Sequence, residues 1–287
     1  MLKFSSRRLN MGLGDAYVKK VFDTVSSKYD FMNDVLSLGI HRSWKNHFVE
    51  NSVRPVSGAK FLDIAGGTGD IAFRITDAIR RQEHLSGLTP KILEGTKVVV
   101  CDINQKMLDE GQSRAARGGY FDIEWVCASG EELPFEDEVY DHCTISFGIR
   151  NFSDRPKALR EAFRILKVGG VLNILEFSHV TFTPLKIPYS FWLSGFLPQA
   201  GRMLADEESY RYLAESIRAF PDQETFAKMI QDAGFSFVRY ENLSGGIACI
   251  HTAVKTNVLT PKTENTSHVS KDQQGDISTP DAEPKIT

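Results

Sequence analysis

Buried strands that halt at glycine or at a carboxylate, with amphipathic helices between them, restrict this chain to few folds. The run KFLDIAGG (60–67) is apolar and stops in glycines, as a strand feeding a tight turn does. The helix DIAFRITDAIRR (70–81) follows. TKVVVCDI (96–103), IEWVCA (123–128) and DHCTISFG (141–148) read as the second, third and fourth strands. Leu159, Ala162, Phe163 and Leu166 then mark a helix, with Pro156 in its first turn and Gly169-Gly170 beyond its end. VLNILEF (171–177) is the fifth strand. Phe226, Met229, Ile230 and Ala233 form another helical stripe, closed by Gly234. FSFVRYENL (235–243) and IACIHTAVK (247–255), joined at Gly245-Gly246, read as an antiparallel hairpin. Five βα units and a hairpin predict an α/β fold, a seven-stranded, mostly parallel open sheet with helices on both faces. Ligands of such sheets bind outside the carboxyl ends of the strands, where strand order reverses. The chemistry is therefore sought there.

One folded unit is expected over residues 14–256, with Val18, Val21, Phe22 and Val25 on one helical face near its start. Residues 257–287 are polar and too poor in apolar groups to offset the entropy of ordering, so a disordered tail is expected. Residues 1–13 include the basic, acid-free MLKFSSRRLN, which fits either a disordered arm or the remnant of a mitochondrial presequence. The segment from about 180 to 220 is a helical insertion, and IPYSFWLSGFLPQAG (187–201) within it is rich in large apolar groups. A net charge of −3 shows no general nucleic-acid footprint. The four cysteines form no CxxC pair, and three lie in apolar runs as buried thiols do. His41 and His47 lack partners at ligand spacing, so no metal site is expected. No run approaches the ~18 apolar residues of a membrane span.

The first strand end carries the strongest chemical signal. In DIAGGTGD (63–70), Gly66, Gly67 and Gly69 permit a sharp turn and let a ligand touch the backbone. The dinucleotide pattern G-x-G-x-x-G is absent, which disfavours a nicotinamide oxidoreductase, and no P-loop lysine follows. Asp63 and Asp70 flank the glycines. Two acids would repel a diphosphate and attract a cation. Asp102 ends the second strand, where an acid accepts hydrogen bonds from a ribose diol. A nucleoside bearing positive charge satisfies all three, and S-adenosylmethionine is that ligand. The third strand ends at CASGEELPF (127–135), placing Ser129 and Gly130 where adenine would lie. EHLSGLTPKILEG (83–95) reads as a loop insertion between the first two units.

KYDFMND (28–34), SLGIHRSWK (37–45), LDIAGGTGDIA (62–72), ISFGIRNF (145–152) and YRYLAESIRAFPDQETF (210–226) together resemble the UbiE-type C-methyltransferases of ubiquinone and menaquinone biosynthesis. The resemblance covers about residues 15–256 and fits the eukaryotic ubiquinone branch best. It implies the class I S-adenosylmethionine-dependent methyltransferase fold. It also implies methylation of a ring carbon of 2-methoxy-6-polyprenyl-1,4-benzoquinol, at the matrix side of the mitochondrial inner membrane. A demethylmenaquinol methyltransferase and a catalytically silent scaffold are the alternatives. Implied partners are the polyprenylated quinol, a multi-subunit biosynthetic complex, a second copy of the chain and a membrane surface. Carried over by position, the cofactor contacts are Thr68, Asp102, Ser129, Gly130 and Ser146. Arg150, with Tyr29 and Asn151 nearby, is assigned to the ring.

Carbon methylation needs an adjacent ring hydroxyl to lose its proton and a donor to hold the developing oxyanion. Arginine stays protonated, so Arg150 suits the second task. A salt bridge at the surface is its alternative reading. Asn151 would orient the ring and Tyr29 would add a hydrogen bond. His179, Asp206 and Glu207 are other candidates for the proton, and a hydrogen-bonded structural role for His179 is the leading reading. The 187–201 segment is either ordinary core or a lid over the polyprenyl tail. Tyr210, Leu213, Ile217 and Phe220, at helical spacing, read as core or dimer contact.

Overall fold

A computed structural model describes residues 34, 37, 39–85, 95–196, 199 and 207–257. Residues 1–257 form one unit, to which these belong. The expected helix around Val18–Val25, Tyr29, Asp206, most of the 83–95 insertion and the 258–287 tail lie outside the described residues.

The strands are β1 (Lys60–Ile64), β2 (Lys97–Asp102), β3 (Ile123–Cys127), β4 (Tyr140–Ser146), β5 (Leu166–Phe177), β6 (Ser236–Leu243) and β7 (Ala248–Val254). They form a seven-stranded sheet in the order β3-β2-β1-β4-β5-β7-β6. The first five run parallel, while β7 is antiparallel to both β5 and β6. Strand order reverses between β1 and β4, so the two strand ends there diverge into helices on opposite faces and leave a crevice.

The helices are α1 (His41–His47), α2 (Asp70–Leu85), α3 (Gln105–Gly118), α4 (Arg155–Ile165), α5 (Thr183–Phe191), α6 (Glu207–Ala219) and α7 (Gln223–Asp232). Short polar caps written in the sequence start three of them. Asn104 accepts from the Met107 N–H, Asp154 from that of Lys157, and Asp222 from that of Thr225. Each satisfies an amide that the first helical turn leaves without a partner.

Side-chain alternation along the central strands splits the core in two. Phe61, Val98 and Val100 join α2 on one face. Leu62, Ile64, Val99 and Cys101 join α4 and α7 on the other. Cys101, Cys143 and Cys249 are buried free thiols, and Cys127 is exposed.

One boundary differs from expectation. Gly169-Gly170 does not separate helix from strand, because α4 ends at Ile165 and β5 begins at Leu166. Instead the pairing of β5 with β4 shifts between Leu166 and Val171, and the Gly169 N–H and Gly170 carbonyl bond to Lys255. The glycines form a bulge that turns the strand, which apolar periodicity cannot reveal.

The insertion divides into two kinds of surface. On α6, Tyr210, Leu213 and Ile217 are core residues, as is Phe220 just beyond it. Helix α5 buries none of its residues, and Phe182, Ile187 and Phe191 stand exposed there. Among the described residues no helix is long and apolar enough to cross a membrane.

Phe226 is fully buried on α7, with its ring 4.8 Å from that of Phe220 and 5.0 Å from that of His251. Phe226→Ala is expected to lower the free energy of unfolding by about 3–5 kcal/mol in urea titrations, through the cavity it leaves.

Candidate functional site

The ends of β1, β2 and β4, with the turn after β3, line a cavity that opens to solvent. Two residues that line it adopt the left-handed region although neither is glycine: Ala65 (φ 54°) after β1 and Phe147 (φ 55°) after β4. Such backbone costs on the order of 1 kcal/mol or more per residue and gathers at functional sites. The two turns nearly touch, since a Cβ added at Gly148 would lie 2.7 Å from that of Ala65. At Gly66 an added Cβ would come within 2.6 Å of Asp63 Oδ2. Gly67 (φ 54°) donates its N–H to Asp102 Oδ2 at 2.9 Å, which ties the glycine turn to the β2 end.

Three of the carboxylates that line this space are in different electrostatic states. Asp63 is buried, and the Thr144 hydroxyl donates to its Oδ1 at 2.7 Å. Its Oδ2 has no partner among the described residues. Burial, with the charges of Asp70 and Asp102 beside it, pushes its carboxyl up to about 7. Burial likewise pushes Asp102 up to about 6, against the N–H groups of Asn104 and Gly67 that stabilise its ionised form. Asp70 goes the other way. Burial works to raise it, but Lys45 and Arg74 together hold it well below the usual carboxylate range. The sequence reading set Asp70 beside Asp63 as a second attraction for a cationic ligand. Its charge is instead already matched by two cations, so that attraction rests on Asp63 and Asp102.

Most of the expected cofactor residues converge. Asp63, Gly66, Gly67, Thr68, Asp102, Ser129, Gly130 and Ser146 all line the cavity. Thr68 is held by Arg114, whose Nη1 donates to its hydroxyl at 2.7 Å. The Ser146 hydroxyl is buried with no partner among the described residues. Gly69 is not among the lining residues. A Cβ there would meet the Trp125 ring at 2.5 Å, so its smallness serves packing behind the turn.

The ring residues separate. Asn151 lines the cavity and accepts from the Tyr212 hydroxyl at 3.0 Å. Arg150, on the single turn Ile149–Asn151, is buried and is not among the described lining residues. Its Nη1 donates to Glu176 Oε1 at 2.8 Å and to the Phe147 carbonyl at 2.6 Å. A salt bridge exists, but it lies in the core, with 2% and 1% of the two side chains exposed. His179 bonds through Nε2 to the Phe220 carbonyl at 2.8 Å, the structural role expected of it. His41 pairs with Asp34 and His47 with Glu241.

Sequence reasoning assigned no part to Lys45, although its motif was noticed. Lys45 lines the cavity from α1, 4% exposed, with its Nζ donating to Asp70 Oδ2 at 2.7 Å. Glu176 was also missed, because a carboxylate inside a strand looks like any half-exposed acid until its partner is known.

Comparison with known proteins decides the family. The description "ubiE/COQ5 methyltransferase family" matches residues 10–255. The chain belongs to the ubiE/COQ5 methyltransferase family. It is 72% identical over 93% of its length to a Leishmania donovani protein named 2-methoxy-6-polyprenyl-1,4-benzoquinol methylase, mitochondrial, covering 92% of that protein. An Arabidopsis thaliana protein of the same name is 48% identical, with 83% of this chain and 84% of the relative covered. The ubiquinone/menaquinone biosynthesis C-methyltransferase UbiE of Bartonella quintana is 45% identical, with 88% and 93% covered.

Among solved structures, a SAM-dependent methyltransferase from Aquifex aeolicus superposes with a TM-score of 0.50 at 16% identity, over 71% of this chain and 88% of that one. The [4+2]-cyclase SpnF superposes with a TM-score of 0.54 at 16% identity, over 75% and 80%. That a cyclase shares the architecture shows that fold alone does not set the reaction. Family membership makes this chain an S-adenosylmethionine-dependent methyltransferase of the class I fold.

The cavity of this family member fits that cofactor. Asp102 can accept a ribose diol, and Ser129 and Gly130 form the wall beyond it. Asp63 Oδ2, buried and without a partner, suits a cationic group.

The ligand-free site carries a pH signature. The folded Asp63 carboxyl lies above its ordinary value, so between the two values the folded chain keeps a proton that the unfolded chain has lost. Stability contributed at this residue therefore falls as pH rises from about 4 through about 7. Asp63→Asn removes that penalty while keeping an acceptor for Thr144. Its gain in Tm, read by thermal unfolding, is expected to be larger at pH 8 than at pH 5.

Proposed function

We propose that this chain transfers a methyl group from S-adenosylmethionine to a ring carbon of 2-methoxy-6-polyprenyl-1,4-benzoquinol in ubiquinone biosynthesis. The observation that carries this reading is identity of 72% to the Leishmania donovani methylase across nearly the whole of both chains. Relatives from Arabidopsis thaliana and Dictyostelium discoideum bear the same name, with "mitochondrial" as part of it. We accordingly place the protein at the matrix side of the inner membrane, as a peripheral member of a biosynthetic complex in which it pairs with a second copy of itself. Phe182, Ile187 and Phe191, exposed on and beside α5, support the membrane contact. An intact cavity with its acids in place speaks against a silent scaffold.

When bound, S-adenosylmethionine supplies a methyl group already activated on a sulfonium. The chain's residues then hold and orient. Asp102 accepts the ribose hydroxyls, and the glycine turn lets the backbone approach the ligand. Asn151 faces the same cavity, and its Oδ1 is taken by Tyr212. To its NH2 we assign a hydrogen bond to a ring oxygen, steadying negative charge as the neighbouring hydroxyl loses its proton. Arg150 braces this arrangement from behind. By joining Glu176 of β5 to the carbonyl of Phe147, it fixes the turn that carries Asn151. To Tyr29, which lies outside the described residues, we assign one further hydrogen bond to the ring.

Incubation with labelled S-adenosylmethionine and short-tailed demethyl quinols tests the assignment. Label is expected in the ring of the benzoquinol. Incorporation into the naphthoquinol alone would move the protein to menaquinone chemistry, which the Bartonella quintana relative's name also covers.

Asn151 and Arg150 should separate by what is lost. Asn151→Ala is expected to lower kcat about 100-fold, as loss of one oxyanion donor does, with cofactor affinity within about threefold of wild type. Arg150→Met leaves Glu176 buried and unpaired, so it is expected also to cost about 3–5 kcal/mol of stability in denaturant titrations.

A further inference from the structure

We infer that Lys45 is the anchor for the carboxylate of the cofactor's methionyl arm. The inference rests on the S-adenosylmethionine reading of the cavity and adds a contact at its far end.

The cavity has a chemical polarity. Asp102 at the end of β2 marks the nucleoside side. From there a ligand arm crosses Gly66 and Gly67 and enters the gap between the β1 and β4 ends, where Asp63 lies. Lys45 lines the same cavity, with its Nζ bonded to Asp70 Oδ2 and 5.9 Å from the centroid of the Phe147 ring. Lys45 is the one cation among the described residues that line the cavity.

Charge balance says what this end accepts. The Asp70 carboxylate is contacted by two cations, Lys45 through Oδ2 and Arg74 through Oδ1. Together these three carry one positive charge in excess, spread between Lys45, 4% exposed, and Arg74, 24% exposed, with Asp63 close enough to offset part of it. A buried charge without full compensation is costly. The described contacts use one of the three N–H donors of Lys45. An incoming carboxylate would take another and restore neutrality. The ammonium on the same carbon would then lie toward Asp63 Oδ2, which has no partner of its own. One amino-acid head group would thus meet a cation and an anion that line the same cavity.

Packing holds Lys45 in place to do this. Its neighbour Trp44 is buried, donates from Nε1 to Ser244 Oγ at 2.9 Å and meets the Phe177 ring edge-on at 6.1 Å. Helix α1 is pinned to the sheet by that contact, and its next residue projects at the cavity.

Calorimetric binding of S-adenosylmethionine and of its decarboxylated form tests the anchor. Decarboxylation removes the carboxylate and keeps the ammonium, sulfonium and nucleoside. Wild-type protein is expected to bind S-adenosylmethionine the more tightly. Lys45→Met is expected to weaken S-adenosylmethionine by roughly 10- to 100-fold, the usual value of a hydrogen bond to a charged group, and to leave the decarboxylated ligand within about twofold. Lys45→Arg should restore most of the preference. Equal weakening of both ligands would overturn the inference, because Lys45 would then act only through Asp70. So would unchanged binding of both, even with slower turnover. Should Lys45→Met prove insoluble, Lys45→Gln keeps a donor for Asp70 and is read the same way. Wild-type protein that bound neither ligand would overturn the cofactor reading itself and the anchor with it.

Discussion

The hydrogen bond from Thr144 to Asp63 crosses the seam on which the site is built. It joins β1 to β4 where strand order reverses, and it accounts for half of a carboxylate that water cannot reach. The other oxygen is left facing the glycine turn. Everything a cationic ligand meets here follows from that placement. Only glycine fits at Gly66, because a Cβ would collide with the same oxygen. The β4 turn must likewise pass close to Ala65, and Ala65 and Phe147 take up left-handed backbone as a result.

Charge around the cavity is sorted rather than uniform. Asp63 is a buried acid and Asp102 a partly buried one; the ionised form of each is held at a cost, and a positively charged ligand would offset it. Asp70 is matched twice over and so presents its cations instead. Behind the β4 end, Arg150 and Glu176 form an ion pair with almost no exposure. A pair so deep adds little net stability, yet it is expensive to break. It joins the turn carrying Asn151 to the middle of the sheet.

The insertion after β5 serves two surfaces. Helix α6 packs into the core through Tyr210, Leu213 and Ile217. Helix α5 has no buried residue and shows Ile187 and Phe191 to solvent. Within 187–201, whose composition reads as either core or lid, Leu193 packs in the core while Ile187 and Phe191 are exposed.

The sequence by itself determined the sheet, its hairpin and most of the cofactor wall. Strand period, helical stripes, caps and glycine turns are local signals, and local backbone physics places residues such as Asp102 and Ser129 at strand ends. It could not tell which charges meet. Lys45 and Asp70 are 25 positions apart, and Arg150 and Glu176 are 26. Whether each acid faces a ligand or a partner depends on how helices and strands dock. Tertiary structure decided that Asp70 was already matched, that Gly69 packs on Trp125, that Arg150 is braced within the core and that Lys45 faces the cavity. The physical reason is that electrostatic energy depends on distance and burial, which appear only once remote segments have folded together.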